Sequence, residues 1–264
     1  MDERPKEKYF ISRGIDSFFM EIYEIARFVA RFFREVFKPP YEFKEIIRQC
    51  YEIGYRSLLL ISVTGFVTGI VFTKQSRPSL AEFGATSWIP SLVAIAIIRA
   101  LAPLVTALIS AGKVGSNIAA ELGSMKVSEQ IDAMEVSGTH PFKYLVVTRV
   151  LATTFMIPLL MCYTGLVAMI GAFINVNQNE ATNFVAFFTQ AFSSISFLDI
   201  IASVVKATIF GFTIGIVGCY KGYSASQGTE GVGRAANASV VMSMFLIFIE
   251  EIILVQIANN IRPL

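Results

Sequence analysis

Four ionisable side chains stand among residues that are almost all apolar: Arg99 in "SLVAIAIIRALAPLV", Lys206 in "IIASVVKATIF", and Glu250 with Glu251 in "FLIFIEEIILV". A charge at the middle of a membrane helix costs at least ~2.5–3.5 kcal/mol on insertion scales, so each must face protein or a wet cavity. Counted inward from Trp88, Phe197 and Ala258, the positions of Arg99, Lys206 and Glu250 all fall ~12–17 Å from one edge of the apolar layer at 1.5 Å per residue. Two cations at matching depth suit a phosphate headgroup, the arginine as a planar fork and the lysine as a point charge. A ligand-free alternative is equally open: a structural ion pair, Arg99 with Glu250 or Lys206 with Glu251. Glu250 and Glu251 are expected to be structural in either case.

Other chemistries are poorly represented. His140, the only histidine, stands in "GTHP" beside a turn. Cys50, Cys162 and Cys219 are far apart and form no CxxC pattern, so reduced, buried thiols are expected rather than a disulfide framework or a metal site. No GxxxxGK[ST] occurs, and "GVGRAA" at Gly231 lacks the third glycine of a dinucleotide fingerprint. An enzyme active site is not expected; neither is a cofactor.

The elements that position the four charges follow from composition. Of 264 residues, 54% are hydrophobic and 16% charged, against roughly 45–50% and about 25% in soluble domains. The excess lies in five runs near the ~20 residues that cross a bilayer, placed at 46–73, 88–111, 144–174, 197–219 and 236–258. The first run is short, and Ile46, Ile47, Ile53 and Tyr55 extend its helix backwards. Pro158 is a candidate kink in the third. No stretch alternates as a strand would, so the expected fold is an all-α integral membrane protein. Gly65 and Gly69, and Gly211, Gly215 and Gly218, suit close helix packing. Phe66, Ile70, Leu92, Ile95 and Leu246 are candidate apolar lining for acyl chains.

Lysine and arginine placement orients the bundle. Eleven such residues precede Ser57, where the apolar run itself begins, whereas residues 175–196 have none. The N-terminus and the 113–143 segment are therefore expected to be cytoplasmic, and the C-terminus external. Residues 15–37 carry Ile15, Phe18, Phe19, Ile22, Ile25, Val29, Phe32 and Phe33 on one helical face, with Arg27, Arg31 and Arg34 opposite, as in a helix lying in the membrane interface. Pro39-Pro40 ends that helix. Between the second and third spans, 127–137 reads as a short acidic helix. Ser128 is its expected N-cap, Glu129 and Asp132 sit in its first turn, and Gly138 closes it. Val127, Ile131 and Met134 form its apolar stripe. A helix this short is marginal alone, so something must pack on it.

Two stretches carry a family resemblance. "AAELGSMKVSEQIDAMEVSGTHPFKYLVVTRVLA", residues 119–152, resembles the signature of the MlaE/YrbE permeases, and "GYSASQGTEGVGRAANASVV", residues 222–241, resembles their second signature. The resemblance extends through all five spans, making 1–264 a single permease domain. It implies a subunit of an ABC transporter that moves phospholipids between the bacterial inner membrane and the outer envelope. A second copy of the chain would complete a central dimer, a separate ATPase subunit would bind the ATP, and an MCE-domain protein would cap the outer side. The 127–137 helix would be the coupling helix, with Glu121, Glu129, Asp132, Met134 and Glu135 as candidate ATPase contacts. Lipid contacts are expected at Arg99, Lys206, Phe66, Ile70, Leu92, Ile95 and Leu246. The first residues show neither a signal peptide nor an Arg/Ser-rich transit peptide, which favours a bacterial plasma membrane over a plastid. From another class, a membrane scaffold that anchors the assembly without transporting is the alternative.

Overall fold

A computed structural model describes residues 8–39, 41–180 and 182–261, with side chains from Met20 onward, Glu21 and Ile22 aside. Ile15, Phe18, Phe19 and Ile22, four members of the expected interfacial face, therefore lie outside the described side chains. Every regular element among the described residues is a helix. In chain order they are α1 (Lys8–Val36), α2 (Phe43–Tyr55) and α3 (Leu58–Glu82). Then come α4 (Thr86–Val127), α5 (Gln130–Val136) and α6 (Phe142–Glu180). The chain ends with α7 (Phe184–Ser193), α8 (Phe197–Tyr223) and α9 (Thr229–Ile261).

Five of these, α3, α4, α6, α8 and α9, are long and apolar enough to cross a membrane. They alternate in direction and leave two ends: one bearing α1, α2 and α5, the other bearing α7 and the start of α8. The central helix α6 packs on α2, α3, α4 and α8, and α8 packs in turn on α4 and α9. Glycines set the closest approaches. A Cβ on Gly211 of α8 would sit 2.6 Å from the Thr153 carbonyl oxygen of α6, and one on Gly69 of α3 would strike the Ala168 carbonyl. The small-residue spacing in the first and fourth spans is thus used for helix contact within the chain.

Three boundaries differ from the sequence reading. The helix expected to run from residue 46 through the first span is broken at Arg56 and Ser57, so α2 and α3 are separate. Helix α2 is amphipathic and α3 apolar on all its faces, so the break falls where the pattern changes. Secondly, Ser128 does not cap the acidic helix. Its hydroxyl donates back to the Ser124 carbonyl at 2.8 Å and closes the end of α4, which includes Val127. Glu129 then takes a left-handed φ of 58°, and α5 spans only Gln130–Val136. Gly138, at φ 79°, does terminate the segment as its position suggests. The third difference is α7, an apolar helix within the 175–196 segment that joins the third and fourth expected spans. Helix α6 runs through Pro158 without ending.

Helix α1 touches the bundle along one face. Phe32 is buried, and the Phe28 ring meets Phe142 and Tyr220 edge-on at centroid distances of 5.1 and 5.6 Å. Arg31 lies 4.2 Å above the Phe142 ring, a cation–π contact that ties α1 to the start of α6.

Candidate functional site

The backbone of α4 departs from α-helical geometry where the first cation stands. Ile97–Leu101 is a π-helical turn containing Arg99, and Pro103 follows two residues later. The Ala102 N–H goes to the Ile97 carbonyl rather than to Ile98. Pro103 has no N–H to offer the Arg99 carbonyl four residues before it. Helix α8 fills both vacancies: Ser203 Oγ donates to the Ile98 carbonyl at 2.7 Å, and Lys206 Nζ donates to the Arg99 carbonyl at 3.1 Å. Turns of this kind recur at functional positions.

The charges then pair across helices. Arg99 Nη2 meets Asp199 Oδ2 at 2.8 Å, and Lys206 Nζ meets Glu251 Oε1 at 2.7 Å. Of the two pairings weighed from sequence, Lys206 with Glu251 forms, while Arg99 finds Asp199 in place of Glu250. Glu250 faces elsewhere and accepts from Thr213 Oγ1 at 2.5 Å. Asp199 was missed because it lies at the very start of the fourth span. Its signal was nonetheless present in "SFLD": Asp199 Oδ2 accepts the Ser196 N–H at 3.0 Å, and Ser196 Oγ accepts the Leu198 N–H. That reciprocal arrangement is a capping box. The same carboxylate therefore starts α8 and holds Arg99.

These groups line one cleft of about 200 Å³ between α4, α8 and α9, with Arg99, Asp199, Ser203, Lys206, Val255 and Asn259 in its walls. Arg99 is the most accessible of the four paired side chains, 34% exposed against 0% for Asp199. Its Nε has no hydrogen-bond partner among the described residues, and neither do Glu250 Oε2 and Glu251 Oε2. The cleft thus offers one partly open guanidinium between largely apolar walls, a setting for an amphiphile with an anionic group.

Of the seven candidate lipid contacts, only Arg99 and Lys206 line this cleft. Phe66 and Ile70 are half-buried on α3, where the Phe66 backbone lies against Gly171 of α6. Leu92 is exposed on α4 and Ile95 half-buried. Leu246 packs on the cluster around Phe32, Ile53 and Val114, toward the opposite end.

At that opposite end α5 rests on the bundle through Ile131, 2% exposed, and half-buried Met134. Met134 thus faces inward, while Glu129 and Glu135 are exposed. Asp132 is paired with Lys126 at 2.9 Å. Beside α5 runs a groove of about 580 Å³ walled by Arg31, Lys126, Asp132, Glu135, His140 and Lys143. Glu121 is not on α5 at all. It sits on α4, and its Oε1 meets Nη2 of the buried Arg149 at 2.8 Å. Arg149, which lies inside the expected 144–174 span, joins α4 to α6. Cys219 is buried, whereas Cys162 lies on an exposed face.

The comparisons with known proteins agree on one family. The chain is similar to a probable ABC transporter permease of Rickettsia typhi, 36% identical over 89% of this chain and 90% of the relative. A probable ABC transporter permease of Synechocystis is 35% identical over 80% of each chain. The chloroplastic protein trigalactosyldiacylglycerol 1 of Arabidopsis thaliana is 31% identical over 83% of this chain and 63% of its own length. The family described as Permease MlaE matches residues 46–257, which takes in four membrane-length helices whole, most of the fifth and both signature stretches, and the chain accordingly belongs to the MlaE permeases.

Proposed function

We propose that this permease subunit moves phospholipid across or out of a bacterial inner membrane, powered by a separate ATPase that binds the nucleotide. The observation that carries the reading is the charged cleft inside the membrane-crossing region, where Arg99 is partly open beside apolar walls. Phospholipids combine a phosphate with acyl chains, and a guanidinium in a low-dielectric cleft favours that phosphate. One relative carries the name of a glycolipid, which supports a lipid cargo. The short helix α5, seated through Ile131, suits docking of a cytoplasmic ATPase, with Glu135 exposed on it and Glu129 exposed in the turn before it. On this reading the N-terminus is cytoplasmic, two copies of the chain form the pathway, and an MCE-domain protein meets the α7 end. Cargo release follows from a lower affinity in one of two states, since only differential affinity drives such a cycle.

The internal pairing of both cations supports a second reading, a scaffold that anchors ATPase and MCE protein without handling lipid. Native membranes solubilised in mild detergent decide between them. The tagged chain is expected to bring down a P-loop ATPase, an MCE protein and phospholipid, and Glu129→Lys with Glu135→Lys to lose the ATPase. In reconstituted complexes Arg99→Ala is expected to cut lipid movement at least about tenfold, roughly 1.4 kcal/mol in a barrier. Intact lipid movement in that variant, with assembly unchanged, refutes the cleft as the lipid site; recovery of a dimer without any ATPase refutes the docking helix.

A further inference from the structure

A second cavity, about 400 Å³, opens at the α5 end where the chain turns from α2 into α3. Its charged lining comes from Arg48, Glu52, Arg56, Lys113 and Glu121, and Ser57 belongs to the same wall. Both carboxylates are engaged: Glu52 with Arg56 Nε at 2.8 Å, and Glu121 with the buried Arg149 at 2.8 Å. Arg48 is itself 3.5 Å from the buried Glu45 carboxylate, so with Arg149 behind Glu121, four cations face three carboxylates. Lys113 stands in a second π-helical turn of α4, Ala111–Gly115, and its ammonium reaches the Arg56 carbonyl, with two further N–H bonds to give. Ser57 is 2% exposed, yet its hydroxyl has no hydrogen-bond partner among the described residues. A buried hydroxyl without a partner is unfavourable until an oxygen or a water meets it.

The depth of this cavity narrows its occupant. Leu58, the first residue of a membrane-length helix, is followed by exposed Leu59. On the other side of the turn Tyr51 and Tyr55 are exposed and stacked, with ring centroids 5.1 Å apart. Tyrosines gather at the headgroup level of a bilayer. An excess of positive charge at that plane meets lipid phosphate before any other abundant anion. We infer that this cavity binds the phosphate of an anionic membrane lipid through Arg48, Lys113 and Ser57, at the end of the bundle opposite the Arg99 cleft. The inference needs α3 to cross a membrane and nothing of transport.

A phosphate carried by a soluble molecule has the same chemistry, so the test separates the two. The full chain is placed in nanodiscs of phosphatidylcholine, with or without phosphatidylglycerol, and its thermal midpoint and retained lipids are measured. Phosphatidylglycerol is expected to raise the midpoint. Arg48→Gln with Lys113→Gln is expected to abolish most of that rise and to lower retained phosphatidylglycerol roughly fivefold, a change of about 1 kcal/mol in binding. Arg234→Gln, an exposed cation at the same end, controls for loss of charge alone. Should the double variant misfold, as judged by elution and circular dichroism, Arg48→Gln and Ser57→Ala take its place, since Arg48 is 61% exposed. An undiminished rise in the cavity variants overturns the site, and so does an equal loss in Arg234→Gln. If 10 mM-scale inorganic phosphate in phosphatidylcholine reproduces the rise, the ligand is a soluble anion and the lipid assignment is wrong.

Discussion

The two ends of this bundle handle charge in opposite ways. At the α7 end Arg99 and Lys206 each have a carboxylate within 2.8 Å, and those carboxylates are buried or nearly so. At the α5 end the acidic residues of the short helix point outward, and the cations around Ser57 outnumber the carboxylates beside them. The difference follows from the surrounding medium. A charge held in hydrocarbon must be matched inside the chain, whereas a charge at the water boundary can be left for another molecule to match. One end is closed electrostatically and the other is open.

The contrast can be broken most forcefully at Lys206. Lys206→Met strands Glu251, which is 14% exposed, and should cost about 3–5 kcal/mol of unfolding free energy. Adding Glu251→Leu should restore most of it, because a buried pair replaced by apolar residues is often neutral. A single-variant loss below about 1 kcal/mol would show that water reaches the pair, as it does at surface pairs. Glu121→Leu should do less, about 1–3 kcal/mol, since Glu121 is half-exposed and Arg149 keeps its bond to the Leu145 carbonyl. Ser203→Ala removes one of the two donors to the π-helical turn of α4 and should cost about 1 kcal/mol. At the far end of the scale, Glu129→Lys with Glu135→Lys should change stability by no more than about 0.5 kcal/mol. The same double variant should still lose the ATPase in the detergent pull-down, so the smallest effect on folding accompanies a complete effect on assembly. Thermal or denaturant unfolding in one detergent measures the whole series.

Much of this contrast was legible in the residues. Apolar runs long enough for a bilayer announce the five membrane helices, since nothing else in a chain of this composition needs them. Arg99, Lys206, Glu250 and Glu251 were conspicuous because each interrupts such a run. Their partners were harder to read. Asp199 sits at a boundary, where a carboxylate draws no notice, although Ser196 three residues before it marked a helix start. Arg149 falls near the start of the third expected span, and its burial depends on how α4 meets α6. The junction before α5 defeated local reasoning for a different reason. A serine can cap the helix that follows or bond back to the one before, and a glutamate at φ 58° carries no signature in the sequence. The π-helical turns are likewise set by which neighbour supplies the missing donors.

That supply has a mechanical consequence. Because Ser203 and Lys206 each fill a particular carbonyl on α4, the two helices are indexed to one another like meshed teeth. A slide of one residue, about 1.5 Å, would disengage both at once. Helix α6 is keyed to α8 as tightly, through Gly211 and the Thr153 carbonyl. The second, third and fourth membrane helices therefore travel as one rigid block. Helix α3 joins that block through Gly69 and the Ala168 carbonyl of α6, where a Cβ would find no room.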